Sequence, residues 1–152
     1  MLLGALTGDP SVADQRAGAD PGRVSPPPFG RSGLPVWLAG AHATLRRALT
    51  RGLPFQASRM TPTALQPWAR QWRDAGGGQL AVRIRMQVGD QAPQGDAVDW
   101  QAIVGPSSFL ADQLHQYASL GVSDVSVVPG QDEHTSLATI EALAGIGPVG
   151  AG

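Results

Sequence analysis

From about residue 35 the apolar positions follow two rhythms: short runs suited to strands, and longer stretches at helical spacing. PVWLA (35–39) is an unbroken apolar run, as in a strand buried on both faces. ATLRRALTR follows, with Leu45, Ala48 and Leu49 at helical spacing. Gly52 suits the left-handed residue after a last turn. LPFQA (53–57) predicts a second strand. TPTALQPWARQWRDAG predicts a helix with Thr61 as N-cap, Pro62 at the first helical position, and Leu65, Trp68, Trp72 and Ala75 in one stripe. Pro67 lies more than a turn inside it and removes a backbone donor, so a kink or a late start is expected. LAVRIRMQV (80–88) alternates cleanly: Val82, Ile84, Met86 and Val88 share one face, Arg83, Arg85 and Gln87 the other. Residues 89 to about 101 read as a loop. SSFLADQLHQYASLG predicts a helix capped by Ser107 or Ser108, with Phe109, Leu110, Leu114, Tyr117 and Leu120 on one face and Gly121 at its close. DVSVV (124–128) is a fourth strand. TSLATIEALAG is a last helix, with Leu137, Ile140, Leu143 and Ala144 inward and Gly145 at its end.

Four strands alternating with four helices call for parallel strands joined by helical crossovers. Two architectures satisfy this: an open doubly wound sheet, or part of a (β/α) barrel, which in full has eight strands and about 250 residues. Upstream, residues 2–9 read as the end of a helix stopped by Gly8-Asp9-Pro10. The stretch through VSPPPFGRSG favours extended backbone lying over a surface.

Composition narrows the function classes. The 152 residues carry 42% hydrophobic and 15% charged residues with a net charge of −1, so a core can form and no basic excess serves nucleic acid. No apolar run reaches the ~20 residues of a membrane span. The absence of cysteine removes disulfides, thiolate metal sites and a cysteine nucleophile. A cytoplasmic location is the default expectation. The division expected is an N-terminal segment (1–34), an α/β domain (35–145) and a tail of small residues (146–152).

Ala39-Gly40-Ala41 stands where a strand turns into a helix. Small residues there let a ligand approach the backbone, and the helix N-terminus offers unpaired N–H groups that suit a phosphate; close strand–helix packing accounts for the same residues. Gly105-Pro106-Ser107-Ser108 opens another helix, where a plain N-cap explains the sequence and a phosphate site is the alternative. His42 is beside the first corner and can donate into it or face solvent. His42, His115 and His134 have no metal-ligand spacing. Arg83 and Arg85 would point into a closed barrel, toward an anionic group, or stand solvated on an open sheet. Trp37, Trp68 and Trp72 are core or interface aromatics, and Asp96 and Asp99 are loop charges. No Ser-His-Asp arrangement, paired carboxylates or metal cluster can be assembled.

PPPFGRSGLPVWLAGAHATLRRALTRG resembles the middle of luciferase-like flavin or deazaflavin oxidoreductases: a Pro-rich approach, an apolar strand with Trp ending in small-Gly, then a helix with an Arg pair like Arg46-Arg47. AIVGPSSFLADQLHQYASLGVSDVSVV resembles the closing unit of that family. The likeness spans about residues 26–143. It departs at Ala39, where a second Gly is usual, and at GLPFQAS, where the family shows Ala-Asp-Gly-Trp. The resemblance implies an α/β fold, a partial TIM barrel whose four strands correspond to the fifth to eighth of the family. It implies FMN or the deazaflavin coenzyme F-420 as cofactor, held at Leu38, Ala39, Gly40, Ala41, Phe55 and Gln56, and a small-molecule substrate. It assigns no catalytic residue.

The first four strands of that barrel have no counterpart here. Two copies could pair to close eight strands, a separate N-terminal half could complete them, or the chain could be a remnant without activity. The last is the expectation, because residue 1 falls inside a family element. Two functions follow: a flavin- or deazaflavin-dependent oxidoreductase (monooxygenase-like) domain completed by a partner, or a non-catalytic binding or interaction module of the same fold.

Overall fold

The computed structural model describes residues 36–90, 102–130 and 132–146. The expectations for the N-terminal helix end, the Pro-rich stretch, most of the loop after Gly89 with Asp96 and Asp99, and the tail beyond Ile146 lie outside them. The elements run β1 (Leu38–Gly40), α1 (His42–Arg51), β2 (Phe55–Ser58), α2 (Pro62–Asp74), β3 (Leu80–Val88), β4 (Ile103–Gly105), α3 (Ser107–Ser119), β5 (Asp124–Pro129) and α4 (Glu133–Ala144).

All strand pairings are parallel. β1 pairs β2 (Leu38 opposite Phe55), β2 pairs β3 (Phe55 opposite Leu80), and β5 pairs β3 (Ile84 opposite Val127). β4 pairs only the last residues of β3, Met86 opposite Ile103. Four strands were expected; the fifth, β4, is a three-residue run too short to alternate and set directly before a helix.

Side chains alternate across a strand, so the register divides the sheet into two faces. One face carries Leu38, Phe55, Ala57, Leu80, Val82, Ile84, Met86, Val125 and Val127. These join Leu45 of α1, Leu65 and Trp72 of α2, Leu110 and Tyr117 of α3 and Leu143 of α4 in one hydrophobic cluster. All four helices therefore cover the same face. The other face carries Ala39, Gln56, Ser58, Ala81, Arg83, Arg85, Gln87, Asp124, Ser126 and Val128, and none of them belongs to that cluster.

The caps follow local chemistry. Thr61 is the N-cap of α2, its hydroxyl accepting from the Ala64 N–H, with Pro62 at the first helical position. Gly52 ends α1 at φ 61°. α2 runs unbroken through Pro67 from an undelayed start. Pro67 and Thr63 are both exposed, so water can reach the Thr63 carbonyl that loses its donor. Its buried stripe is Leu65, Ala69 and Trp72, with Trp68 half-buried and Ala75 exposed at the C-cap. Trp72 donates Nε1–H to the Gly78 carbonyl at 2.9 Å and packs on Phe55 at 5.7 Å between ring centroids.

α3 starts from Pro106, without the side-chain cap expected of Ser107 or Ser108. α4 corrects the inward stripe: Leu137 is 53% and Ile140 51% exposed, Ala144 is exposed, and Leu143 alone of the expected four packs against the core. The buried residue is Thr139. Its hydroxyl accepts the Val88 N–H at 3.1 Å and donates to the Thr135 carbonyl at 2.7 Å. The helix thus docks on β3 through a hydroxyl, at an N–H just beyond the end of the β5 ladder.

Tyr117 is fully buried and donates its phenol to the Met60 carbonyl at 2.6 Å, tying α3 to the turn after β2. Tyr117→Phe removes that donor and should cost ~1–2 kcal/mol in urea unfolding. Burial also raises the phenol above its ordinary value near 10. A group raised on folding contributes its full stabilisation below the unfolded pKa and loses it as pH climbs above. Stability should therefore fall as pH rises beyond about 10, less steeply in Tyr117→Phe, as read from unfolding midpoints across the alkaline range.

Candidate functional site

Because the strands are parallel, their C-terminal ends share one rim, and the helices that follow begin there. Gly40 leads to α1, Ser58 through Arg59 to α2, Gly105 to α3 and Pro129 to α4. The four helix N-termini differ in who satisfies them. Thr61 caps α2. Asp132 caps α4, accepting from the Thr135 N–H at 2.8 Å and the Thr135 hydroxyl at 2.8 Å. Those bonds hold the Asp132 carboxyl below the usual carboxylate range and put a negative charge where a ligand anion would have to sit. α1, after Ala41, and α3, after Pro106, have no side-chain cap. The two corners flagged in the sequence are therefore the two rim helices whose N-termini no side chain fills.

The corner before α1 is built on Gly40. Its φ of 147° lies where L side chains are strained, and a Cβ there would stand 2.9 Å from Thr44 Oγ1. The strand turns straight into the helix: the Ala41 carbonyl accepts from the N–H groups of Thr44 and Leu45 at 2.8 and 3.2 Å. Ala41 itself is exposed.

The six candidate residues divide by strand parity. Ala39 and Gln56, opposite each other in register, stand on the face away from the helices. Leu38 and Phe55, also opposite, belong to the core cluster on the helix side. Phe55 packs on Trp68 and Trp72, so its side chain positions β2 rather than reaching the rim. Gly40 and Ala41 make the corner. His42 does not aim into it: its Nε2–H donates to Gln71 Oε1 at 3.0 Å, and its ring meets Trp68 edge-on at 5.4 Å. His115 hydrogen-bonds the Ala111 carbonyl on its own helix. No group of His, Asp and Glu among the described residues could hold a metal ion.

One feature lacked a sequence signal. Arg59, just past β2 on the rim, has φ 58°, costly for a residue with a side chain. Its N–H donates to the Arg83 carbonyl at 2.7 Å. A left-handed arginine can be found only from coordinates. The face of Arg83, Arg85 and Gln87, which the alternation of β3 marks in the sequence, is joined by Gln56, Ser58 and Ser126 of its neighbours and becomes basic toward the rim. A depression of about 170 Å³ between α2 and α3, lined by Pro62, Thr63, Gln66, Gln116, Ser119 and Leu120, falls short of the ~300–1,000 Å³ of ordinary ligand pockets.

No known family profile matches the chain, and no curated protein matches it in sequence. No helix among the described residues is long and apolar enough to cross a membrane.

Gly40→Ala should lower stability by ~1–3 kcal/mol, through the strained backbone and the Thr44 contact. Gly52→Ala, also at positive φ but with nothing within 4 Å of the added Cβ, should cost only ~1 kcal/mol. Urea titration of both variants reads the difference; equal losses would mean that the Thr44 contact does not constrain the corner.

Proposed function

We propose that the chain is a luciferase-like oxidoreductase domain, four strand–helix units of a (β/α) barrel, that takes FMN or the deazaflavin coenzyme F-420 at its rim. One coincidence carries this reading. The uncapped N-terminus of α1, behind the bare Gly40 corner, opens on the same rim toward which Arg83 and Arg85 line the open face.

The residues suit the phosphate end of such a cofactor. The first N–H groups of α1 have no competing side-chain acceptor, and the helix dipole favours an anion there. Arg83 and Arg85 are two residues apart on one strand face, so their backbone positions stand ~6.6 Å apart. Two guanidinium groups carried side by side repel each other, and more strongly as the local dielectric falls. An anion between them relieves that repulsion, and relieves more of it as water leaves. Gln56 adds a donor and an acceptor on the same face, while Ala39 keeps the β1 end of it flat. The bound flavin or deazaflavin would supply hydride chemistry; the chain's own part is to hold the phosphate and orient the ring over the sheet. The substrate is a small molecule of unassigned class.

A second reading, a non-catalytic interaction module of the same fold, draws on Leu137 and Ile140, whose exposure on α4 suits contact with a partner.

Titration of the purified chain with FMN and with oxidised F-420, followed by flavin fluorescence and calorimetry, separates the two. The oxidoreductase reading expects saturable binding, weakened about tenfold or more by Arg83→Gln with Arg85→Gln and by Ala41→Asp, which sets a carboxylate at the α1 N-terminus. No binding of either cofactor at high micromolar concentration leaves the interaction module.

A further inference from the structure

We infer that two copies of this chain pair about a two-fold axis parallel to the strands, with β5 and α4 of one copy against β1 and α1 of the other. The inference rests on the half-barrel reading above but not on cofactor binding.

The sheet edges come first. Among the described residues β1 is bonded on one side only, to β2, and β5 on one side only, to β3. Bare strand edges are templates for further pairing. An axis parallel to the strands keeps every strand running the same way, so β5 of each copy meets β1 of the other as a parallel neighbour. Both bare edges are then satisfied at once, and the assembly closes without leaving a new edge. β1, β2, β3 and β5 taken twice make eight parallel strands, the number at which side chains just fill a barrel.

The terminal helices say what the partner should be. α1, HATLRRALTR, carries Arg46, Arg47 and Arg51 and no acidic residue. α4, EHTSLATIEALA, carries Glu133 and Glu141 and no Lys or Arg. All five charged side chains are exposed. In the proposed pairing these two helices become neighbours. The flanks also match. His42 turns toward α2, and at 3.6 residues per turn Arg47 and Arg51, one turn apart, fall on the opposite flank of α1. On α4, Leu137 and Ile140 stay half-exposed, although the helix is docked on β3 through Thr139. An acidic helix with a bare apolar patch and a basic helix with a free flank, at opposite ends of one sheet, are two halves of a single contact. A second copy supplies both halves.

Sedimentation velocity and light scattering on the full chain at tens of micromolar should give a dimer. Arg47→Glu with Arg51→Glu places acid against acid at both contacts, and Glu133→Arg with Glu141→Arg places base against base. Each variant alone should dimerise about tenfold or more weakly. An equimolar mixture of the two should recover pairing, because every contact is again acid against base. Leu137→Ser with Ile140→Ser, read at high salt to remove the charge contribution, should also weaken the dimer. A monomeric wild type, wild-type pairing in both charge variants, or a mixture that fails to recover would each overturn the inference. Loss of cofactor binding with the dimer intact would overturn the proposed function alone.

Discussion

Parallel strands cannot be joined by a tight turn; each needs a crossing segment to bring the chain back to the end where it started. Every helical crossing here returns over the same face of the sheet, and the rest of the structure follows from that. Strands β1, β2, β3 and β5 add one after another in a single direction. The even-numbered residues of β3, from Leu80 to Met86, are buried under helices, while Arg83 and Arg85 stand on the face that none of the described helices covers. All four helix N-termini gather at one rim. A doubly wound sheet shares such a rim but reverses direction midway and carries helices on both faces.

β3 is the member on which that arrangement turns. It is the longest described strand, bonded to β2 over its first half, to β5 through its middle and to β4 at its end. Where the ladders stop, side chains continue the work. Thr139 takes the Val88 N–H, and the Arg83 carbonyl takes the N–H of Arg59. The turn after β2 is held from both sides, by that bond and by Tyr117 on the Met60 carbonyl. Within this pinned turn Arg59 holds a left-handed conformation that its side chain disfavours.

The elements were legible wherever a local rule was strong. Alternation in LAVRIRMQV marked β3 residue for residue, and Thr61-Pro62 marked the start of α2. Legibility failed where the deciding contact lay far along the chain. Leu137 and Ile140 have helical spacing, but the inward direction of α4 is set by Thr139 reaching Val88, fifty-one residues away in sequence. β4 has only three residues and exists because the end of β3 has an unpaired side. Pro67 was read for its missing donor, whereas exposure decides whether that matters. At the candidate site the Gly40 corner was visible as small residues, but parity divided Leu38 and Phe55 from Ala39 and Gln56, and parity depends on exactly which residue begins the strand. A one-residue error in placing β1 leaves the corner recognisable and exchanges the faces of its side chains.

Pairing and ligand binding would not be independent properties of such a molecule. On an open sheet Arg83 and Arg85 are hydrated, and a phosphate gains little from them, because water screens the attraction. Closing two sheets face to face removes that water and raises the cost of leaving two guanidinium groups per copy without counter-ions. A bound anion offsets the cost, so it should favour the closed form; by linkage the closed form must favour the anion to the same degree. The basic open face, a burden to a ligand-free barrel, then becomes the element through which ligand and partner act on each other.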